Sequence, residues 1–334
     1  MKIQDIQSIQ ALLATPKKIA IIPHRSPDGD AMGSTLGLYH FLLKYNHQAV
    51  VIAPNEFPDF LSWLPGSETV QIFEKNKEKC TKILEEAEII CTLDFNAFHR
   101  VGEMEKVLEV LNTTYIMIDH HQKPDDYAAY MYSDTSFGST CEMLYNFIGF
   151  LGEKEAIDKT IGTCIYTGIL TDSGSFKFPG TTGNTHRIVA DLIDLGVENT
   201  TIPTLLFENS SYNRLQLLGR ALQNMKVIPE FKTSYITLTQ EELNSFHYVT
   251  GDTEGIVNFG LSIKGIHFTA IFIENREENI IKISFRSQGG FDVNQFARDH
   301  FNGGGHRNAA GGKSTVSMAE TIQKFEDLVT KITL

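Results

Sequence analysis

Short apolar runs at residues 19–22, 49–53, 89–93 and 115–118 punctuate the first ~200 residues of the chain. Between them, apolar positions return at helical spacing over 31–45, 74–87 and 103–111. Continuous apolar runs predict strands covered on both faces, and the intervening helices predict right-handed crossovers in a mainly parallel sheet. Gly33 and Gly37 in the first helix are expected to let it approach its strand closely. Stretches 138–151, 155–170 and 185–195 predict further packing helices, the last stopped by Gly196. Residues 199–211 mix polar turn residues with Pro203 and lead into a helical pattern over 212–225, which together form the expected connection. Beyond it the period changes to strand-like runs at 234–238, 267–273 and 280–285. The expected fold class is α/β, a mainly parallel-sheet N-terminal domain with a smaller α+β C-terminal domain. The expected boundaries are 1–198, 199–225 for the linker and connecting helix, and 226–334.

Bulk properties narrow the picture further. A chain of 334 residues exceeds one ordinary core, in agreement with two domains. With 42% hydrophobic and 21% charged residues and no long apolar run, it reads as globular and without a membrane segment. The start, Met1-Lys-Ile-Gln-Asp-Ile-Gln-Ser8, lacks a basic segment followed by an apolar core, so no secretory signal is expected and the expected location is cytoplasmic. Cys80, Cys91, Cys141 and Cys164 are widely spaced, which argues against a disulfide framework or a zinc site. The net charge of −12 argues against a grip on long nucleic acid through many phosphates, so any nucleic-acid substrate is expected to be short.

The chemistry gathers where the apolar runs end. Behind the first run, Pro23-His-Arg-Ser-Pro-Asp-Gly-Asp30 sets His24, Asp28 and Asp30 in one tight loop. Imidazole and carboxylates at this spacing suit Mn²⁺, Mg²⁺ or Fe²⁺. Asp94 ends the third run, Asp119-His120-His121 ends the fourth, and Asp172 closes a later apolar helix before Ser173 and Gly174. Ligands of open α/β sheets bind beyond the carboxyl ends of the strands, so these dispersed groups are expected to converge there.

The set His24-x-x-x-Asp28-x-Asp30, Asp94, Asp119-His120-His121 and Asp172 resembles, in order and approximate spacing, the four motifs of the DHH phosphoesterase superfamily. Phe285-Arg-Ser287 and Gly303-Gly-Gly-His-Arg-Asn-Ala-Ala-Gly-Gly312 are similar to the signatures of the DHH-associated substrate-binding domain, and together they point to the oligoribonuclease (nanoRNase) and pAp-phosphatase branch. The resemblance covers nearly the whole chain and makes the first domain catalytic and the last substrate-binding. It implies two divalent cations, expected to be Mn²⁺, one held by His24, Asp28 and Asp94 and the other by Asp30, Asp94, His120 and Asp172. Asp94 would bridge them, Asp119 would orient His120, and His121 would face the scissile phosphate or leaving oxygen. Arg286, Ser287, Gly304, Gly305 and His306 would bind substrate, with the glycine run offering bare backbone N–H groups to an anion. Two positions depart from the family pattern, Ser26 where Asn is frequent and Asn302 where a further Gly often stands, and neither is an expected ligand.

The implied function is metal-dependent hydrolysis of short RNA oligonucleotides to nucleoside 5′-monophosphates, extending to pAp and linear dinucleotides such as pApA. Alternatives are a pyrophosphatase or polyphosphatase, a RecJ-like exonuclease and a non-enzymatic nucleotide-sensing scaffold. Preference among the short substrates, cleavage polarity and oligomeric state, a homodimer included, are left open by the sequence.

Overall fold

The computed structural model describes residues 3–332. The chain divides into two compact units, Met1–Asn209 and Ser210–Leu334. In the first, strands β1 (Lys18–Ile22), β2 (Gln48–Ala53), β3 (Gln71–Ile72), β4 (Ile89–Leu93), β5 (Thr114–Asp119) and β6 (Tyr130–Ser133) form one sheet in the order β3-β2-β1-β4-β5-β6. Every adjacent pair is parallel. Strand order reverses between β1 and β4, which opens a crevice beyond their carboxyl ends.

Alternation along the strands feeds two cores. Ile19, Ile21, Ile89, Cys91, Leu93, Ile116 and Ile118 face one of them, beneath helices α1 (Ile3–Leu13), α2 (Gly29–Lys44), α5 (Thr140–Phe150), α6 (Lys159–Asp172), α7 (Gly183–Asp194) and α8 (Thr201–Phe207). Ala20, Ile22, Ile90 and Tyr115 face the other, beneath α3 (Lys77–Glu86) and α4 (Glu105–Leu108). The helix expected over 103–111 is instead a 3-10 turn, Phe98–Met104, followed by the four-residue α4. Gly102, at φ 61, takes the left-handed region and interrupts the helical ladder there.

The contacts of Gly33 and Gly37 also correct an expectation. A Cβ on Gly33 would lie 2.5 Å from the Cys164 carbonyl oxygen, and one on Gly37 would lie 3.0 Å from Leu144 Cδ2. These glycines let α2 pack against α5 and α6, not against its own strand. That close packing places the start of α2 beside the end of α6.

In the second unit, β7 (Lys226–Ile228), β8 (Thr233–Leu238), β9 (Phe268–Asn275), β10 (Ile280–Ser287), β11 (Gly304–Gly305) and β12 (Ala309–Ser314) form a mixed sheet in the order β11-β12-β10-β9-β8-β7. The β8/β9 pair is parallel and the others antiparallel. Phe268, Phe272, Phe285, Phe296, Phe301 and Phe325 build one core, with α12 (Val293–Phe301) and α13 (Met318–Val329) contributing to it. Helix α9 (Tyr212–Gln223) buries Leu217 and Ala221 against Ile236 and Ile271 on the opposite side, beside α10 (Gln240–Ser245) and α11 (Asn258–Leu261). Among the described residues no helix is long and apolar enough to cross a membrane.

Candidate metal centre

The loop after β1 turns directly into α2, and its side chains do two jobs at once. Asp28 caps α2, its Oδ1 accepting from the N–H groups of Asp30 at 3.0 Å and Ala31 at 3.1 Å. Its second oxygen faces His24 Nε2 at 3.9 Å. His24 Nδ1 lies 2.9 Å from the Arg25 carbonyl oxygen, a contact that fixes a proton on Nδ1 and turns Nε2 toward the carboxylates. His120 is arranged alike, with Nδ1 3.1 Å from the Phe137 carbonyl oxygen.

Asp94 follows β4 in a left-handed conformation, φ 65, rare for a residue with a Cβ. This local strain aims one carboxylate at two imidazoles: Oδ2 is 3.3 Å from His24 Nε2 and Oδ1 is 3.4 Å from His120 Nε2. His120 Nε2 also lies 3.3 Å from Asp172 Oδ2 at the end of α6 and 3.7 Å from Asp30 Oδ2. Two ligand groups result, His24 with Asp28 and Asp94, and Asp30 with His120 and Asp172, and within each the donor atoms lie within 4.8 Å of one another. Asp94 has an oxygen turned to each. His24, Asp30, Asp94, His120 and His121 are buried, and Asp28 and Asp172 are half-buried.

Buried side by side, these acids repel one another and shift one another's proton affinities. Burial pushes the Asp30 carboxyl up, and the charges of Asp94 and Asp172 push it further, well above the usual carboxylate range. Burial works against the charge of Asp94 too, but hydrogen bonds from His120 and His24 overcome it and hold Asp94 well below that range. Burial likewise opposes a charged His120, yet the Asp94 hydrogen bond and the charges of Asp172, Asp94 and Asp30 carry it well above the usual imidazole range. The protein alone thus holds these groups at proton affinities far from their ordinary values. Divalent cations would neutralise the same charges, and two imidazoles with four carboxylates form a hard-to-borderline donor set suited to Mn²⁺ or Mg²⁺. The nearby Cys141 thiol is no competitor, since burial pushes its pKa well up and Sγ contacts the carbonyl oxygens of Asp30 and Cys164.

Asp119 does not orient His120. Its two oxygens accept from the backbone N–H of His121 at 2.8 Å and from His121 Nδ1 at 2.7 Å. The Asp-His-His sequence thus splits, the first imidazole going to the carboxylate cluster and the second to its own acid. Burial, followed by the charge of Arg100, holds the His121 imidazole well below its usual pKa, whereas burial and the Asp94 charge raise Asp119 to about 6. The Asp119 contact thus fixes the His121 proton on Nδ1.

Sequence reading missed the start of α5. Thr140 and Cys141 donate their backbone N–H groups to the two oxygens of Asp30 at 2.6 and 2.9 Å, and Thr140 Oγ1 donates to Asp94 Oδ1 at 2.9 Å. Asn96 was missed as well; its Nδ2 donates to the carbonyl oxygens of His121 and Gln122 at 3.1 and 3.2 Å. Pairings across this many residues leave no local signal beyond the Ser139 helix cap.

In the second unit the expected substrate residues lie on β10 and the β11–β12 hairpin. The glycine run spends most of its N–H groups inside the unit: Gly303 donates to the Ala297 carbonyl at 3.2 Å, Gly305 to Asn294 Oδ1 at 2.9 Å and His306 to the Ala309 carbonyl at 2.7 Å. Close backbone packing requires glycine here, because a Cβ on Gly303 would lie 1.9 Å from the Gly311 carbonyl oxygen. Asn302 ends α12 at φ 48, the left-handed turn its amide side chain tolerates. Ser287 is buried, donating to the Phe291 carbonyl at 2.8 Å and accepting from Asn308 Nδ2 at 2.8 Å. Arg286 Nη1 lies 3.0 Å from the Phe285 carbonyl oxygen.

Residues 18–169 match the DHH family, N-terminal domain, and residues 234–333 match the DHHA1 domain. The chain is 30% identical over 318 residues to the bifunctional oligoribonuclease and PAP phosphatase NrnA of Thermus thermophilus, covering 95% of this chain and 90% of that protein. It is 29% identical to the protein of the same name from Bacillus subtilis, covering 93% and 94% of the two chains. The crystal structure of an exopolyphosphatase-related protein from Bacteroides fragilis superposes with a TM-score of 0.92 at 40% identity, covering 98% of this chain and 96% of that one. The chain belongs to the DHH family and is a phosphoester hydrolase.

Proposed function

We propose that this protein hydrolyses short oligoribonucleotides, together with pAp and linear dinucleotides, to nucleoside 5′-monophosphates, using two divalent cations. The observation that carries the reading is Asp94, a strained residue at the sheet's switch point whose two oxygens face His24 and His120 at 3.3 and 3.4 Å. His24, Asp28 and Asp94 would hold one cation and Asp30, Asp94, His120 and Asp172 the other, with Mn²⁺ the proposed ion. Bound there, the pair would neutralise phosphoryl oxygens and acidify the attacking water. The chain's own groups do the rest. Carbonyl contacts hold His24 and His120 in one tautomer. Asp119 fixes the His121 ring, the proposed proton-exchange partner of the phosphate or the leaving oxygen. Arg286, Ser287, Gly304, Gly305 and His306 are the proposed substrate residues of the second unit, and the Arg286 guanidinium suits a terminal phosphate. The names of the Thermus and Bacillus relatives, which align along nearly the whole chain, support the substrate class. The acidic net charge of −12 supports short substrates over long ones.

The exopolyphosphatase-related protein of Bacteroides fragilis favours, by its name, a second reading, hydrolysis of polyphosphate. Purified protein with Mn²⁺ separates the two when given di- to pentanucleotides, pAp, a long RNA strand, pyrophosphate and polyphosphate. The first reading predicts fastest turnover of the short oligonucleotides or pAp. Faster release of phosphate from the inorganic substrates would replace it with the second, and a preference for the long strand would point to a RecJ-like exonuclease.

A further inference from the structure

Asp30 and Asp94 come from different strand ends, and both are met by one helix terminus. The first two residues of α5 present consecutive N–H groups that grip Asp30 through both oxygens, Thr140 N to Oδ2 at 2.6 Å and Cys141 N to Oδ1 at 2.9 Å. A helix N-terminus supplies such unpaired N–H donors in its first turn. The Thr140 hydroxyl then reaches Asp94 Oδ1 at 2.9 Å. Each carboxylate oxygen has two lone-pair directions, so the hydroxyl proton takes one on Oδ1 and leaves the other toward His120 Nε2 at 3.4 Å. The terminus is itself held. Ser139 caps it, accepting from the Glu142 N–H at 3.0 Å, and the buried Glu142 carboxylate accepts from Asn184 Nδ2 at 3.2 Å and Thr185 Oγ1 at 3.0 Å at the start of α7.

We propose that Thr140 is a positioning residue of the centre: its N–H and hydroxyl lock the rotamers of Asp30 and Asp94, and so set the two ligand groups for cation binding. The inference rests on the two-cation reading above. Groups that orient a ligand carboxylate typically change metal affinity by roughly 10–100-fold when removed. Valine has threonine's shape without its hydroxyl, and serine keeps the hydroxyl while losing only a methyl.

Calorimetric Mn²⁺ titration and dinucleotide kinetics on wild type, Thr140→Val and Thr140→Ser, with metal-free melting temperatures, test the proposal. Thr140→Val should bind Mn²⁺ about 10–100-fold more weakly and lose kcat more than KM, and Thr140→Ser should restore both. Melting temperatures of the three metal-free proteins should stay close. The proposal is overturned if Thr140→Val binds and turns over like wild type. It is also overturned if the Val and Ser variants are equally impaired, or if the loss tracks a matching fall in metal-free stability, since either marks a packing role. Wild type that binds no Mn²⁺ would sink the two-cation reading itself, a result distinct from a normal wild type with an indifferent Thr140→Val.

Discussion

The carboxylate cluster of the first unit and the glycine hairpin of the second treat their polar groups in opposite ways. In the cluster, carboxylates from three strand ends and a helix end crowd together with raised and lowered proton affinities. In the hairpin, the N–H groups of Gly303, Gly305 and His306 are already spent on the unit's own acceptors. A buried polar group satisfied within its fold needs no ligand, whereas a group of like charges held together at a cost invites one. The signature residues of the two regions look equally functional as text. Their hydrogen-bond partners tell them apart: the acids crowd together and shift one another's proton affinities, and Gly303 stands where no side chain fits.

Substitutions can break or sharpen that contrast. The largest effect should come from Asp94→Ala, which removes the carboxylate whose two oxygens face His24 and His120. Turnover should fall on the order of 10³-fold or more, with both Mn²⁺ sites lost in a titration. Because hydrogen bonds from His24 and His120 hold the Asp94 charge in the fold, metal-free melting should fall as well. Near-normal turnover with two bound ions would dissolve the distinction drawn for the cluster.

Arg286→Ala should come next, raising KM for dinucleotides roughly 10- to 100-fold by removing charge-assisted bonds to phosphate. Mn²⁺ affinity should not move, because Arg286 is not among the cation-holding groups. Unchanged KM and kcat would take Arg286 out of the site.

The smallest effects lie within the hairpin, where two neighbouring glycines should respond differently. Gly303→Ala would drive a Cβ to 1.9 Å from the Gly311 carbonyl oxygen, and should destabilise the protein by about 1–3 kcal/mol with no change in Mn²⁺ binding. Gly304→Ala meets nothing closer than Arg298 Nη2 at 3.5 Å, so its melting temperature should hold and any effect should appear in KM. Equal melting temperatures for the two variants would contradict the packing account of Gly303.

Much of this was legible in the sequence because the signals are local. Apolar runs ending in Asp94 or Asp119-His120-His121 mark strand ends, and an open sheet gathers strand ends at one edge. The left-handed turn at Asn302 follows from its side chain. The parts not legible depend on partners far along the chain. Thr140 meets Asp30 across 110 positions, and a Ser-Thr-Cys sequence at a helix start reads only as a cap. The attachment of Asp119 to His121 instead of His120 follows from the turn after β5, which the apolar pattern does not encode. β6 is a four-residue edge strand, Tyr130–Ser133, of mixed polarity, too short for periodicity to register.

The central claim is that Asp94 joins two cation sites on which hydrolysis depends. Its most direct test removes all metal with a chelator, then titrates Mn²⁺ back while bound ion and dinucleotide turnover are measured together. The account predicts two Mn²⁺ per chain, with turnover absent before addition and rising as the second ion binds. Full turnover in the metal-free protein, or saturation of turnover with a single bound ion, would contradict it.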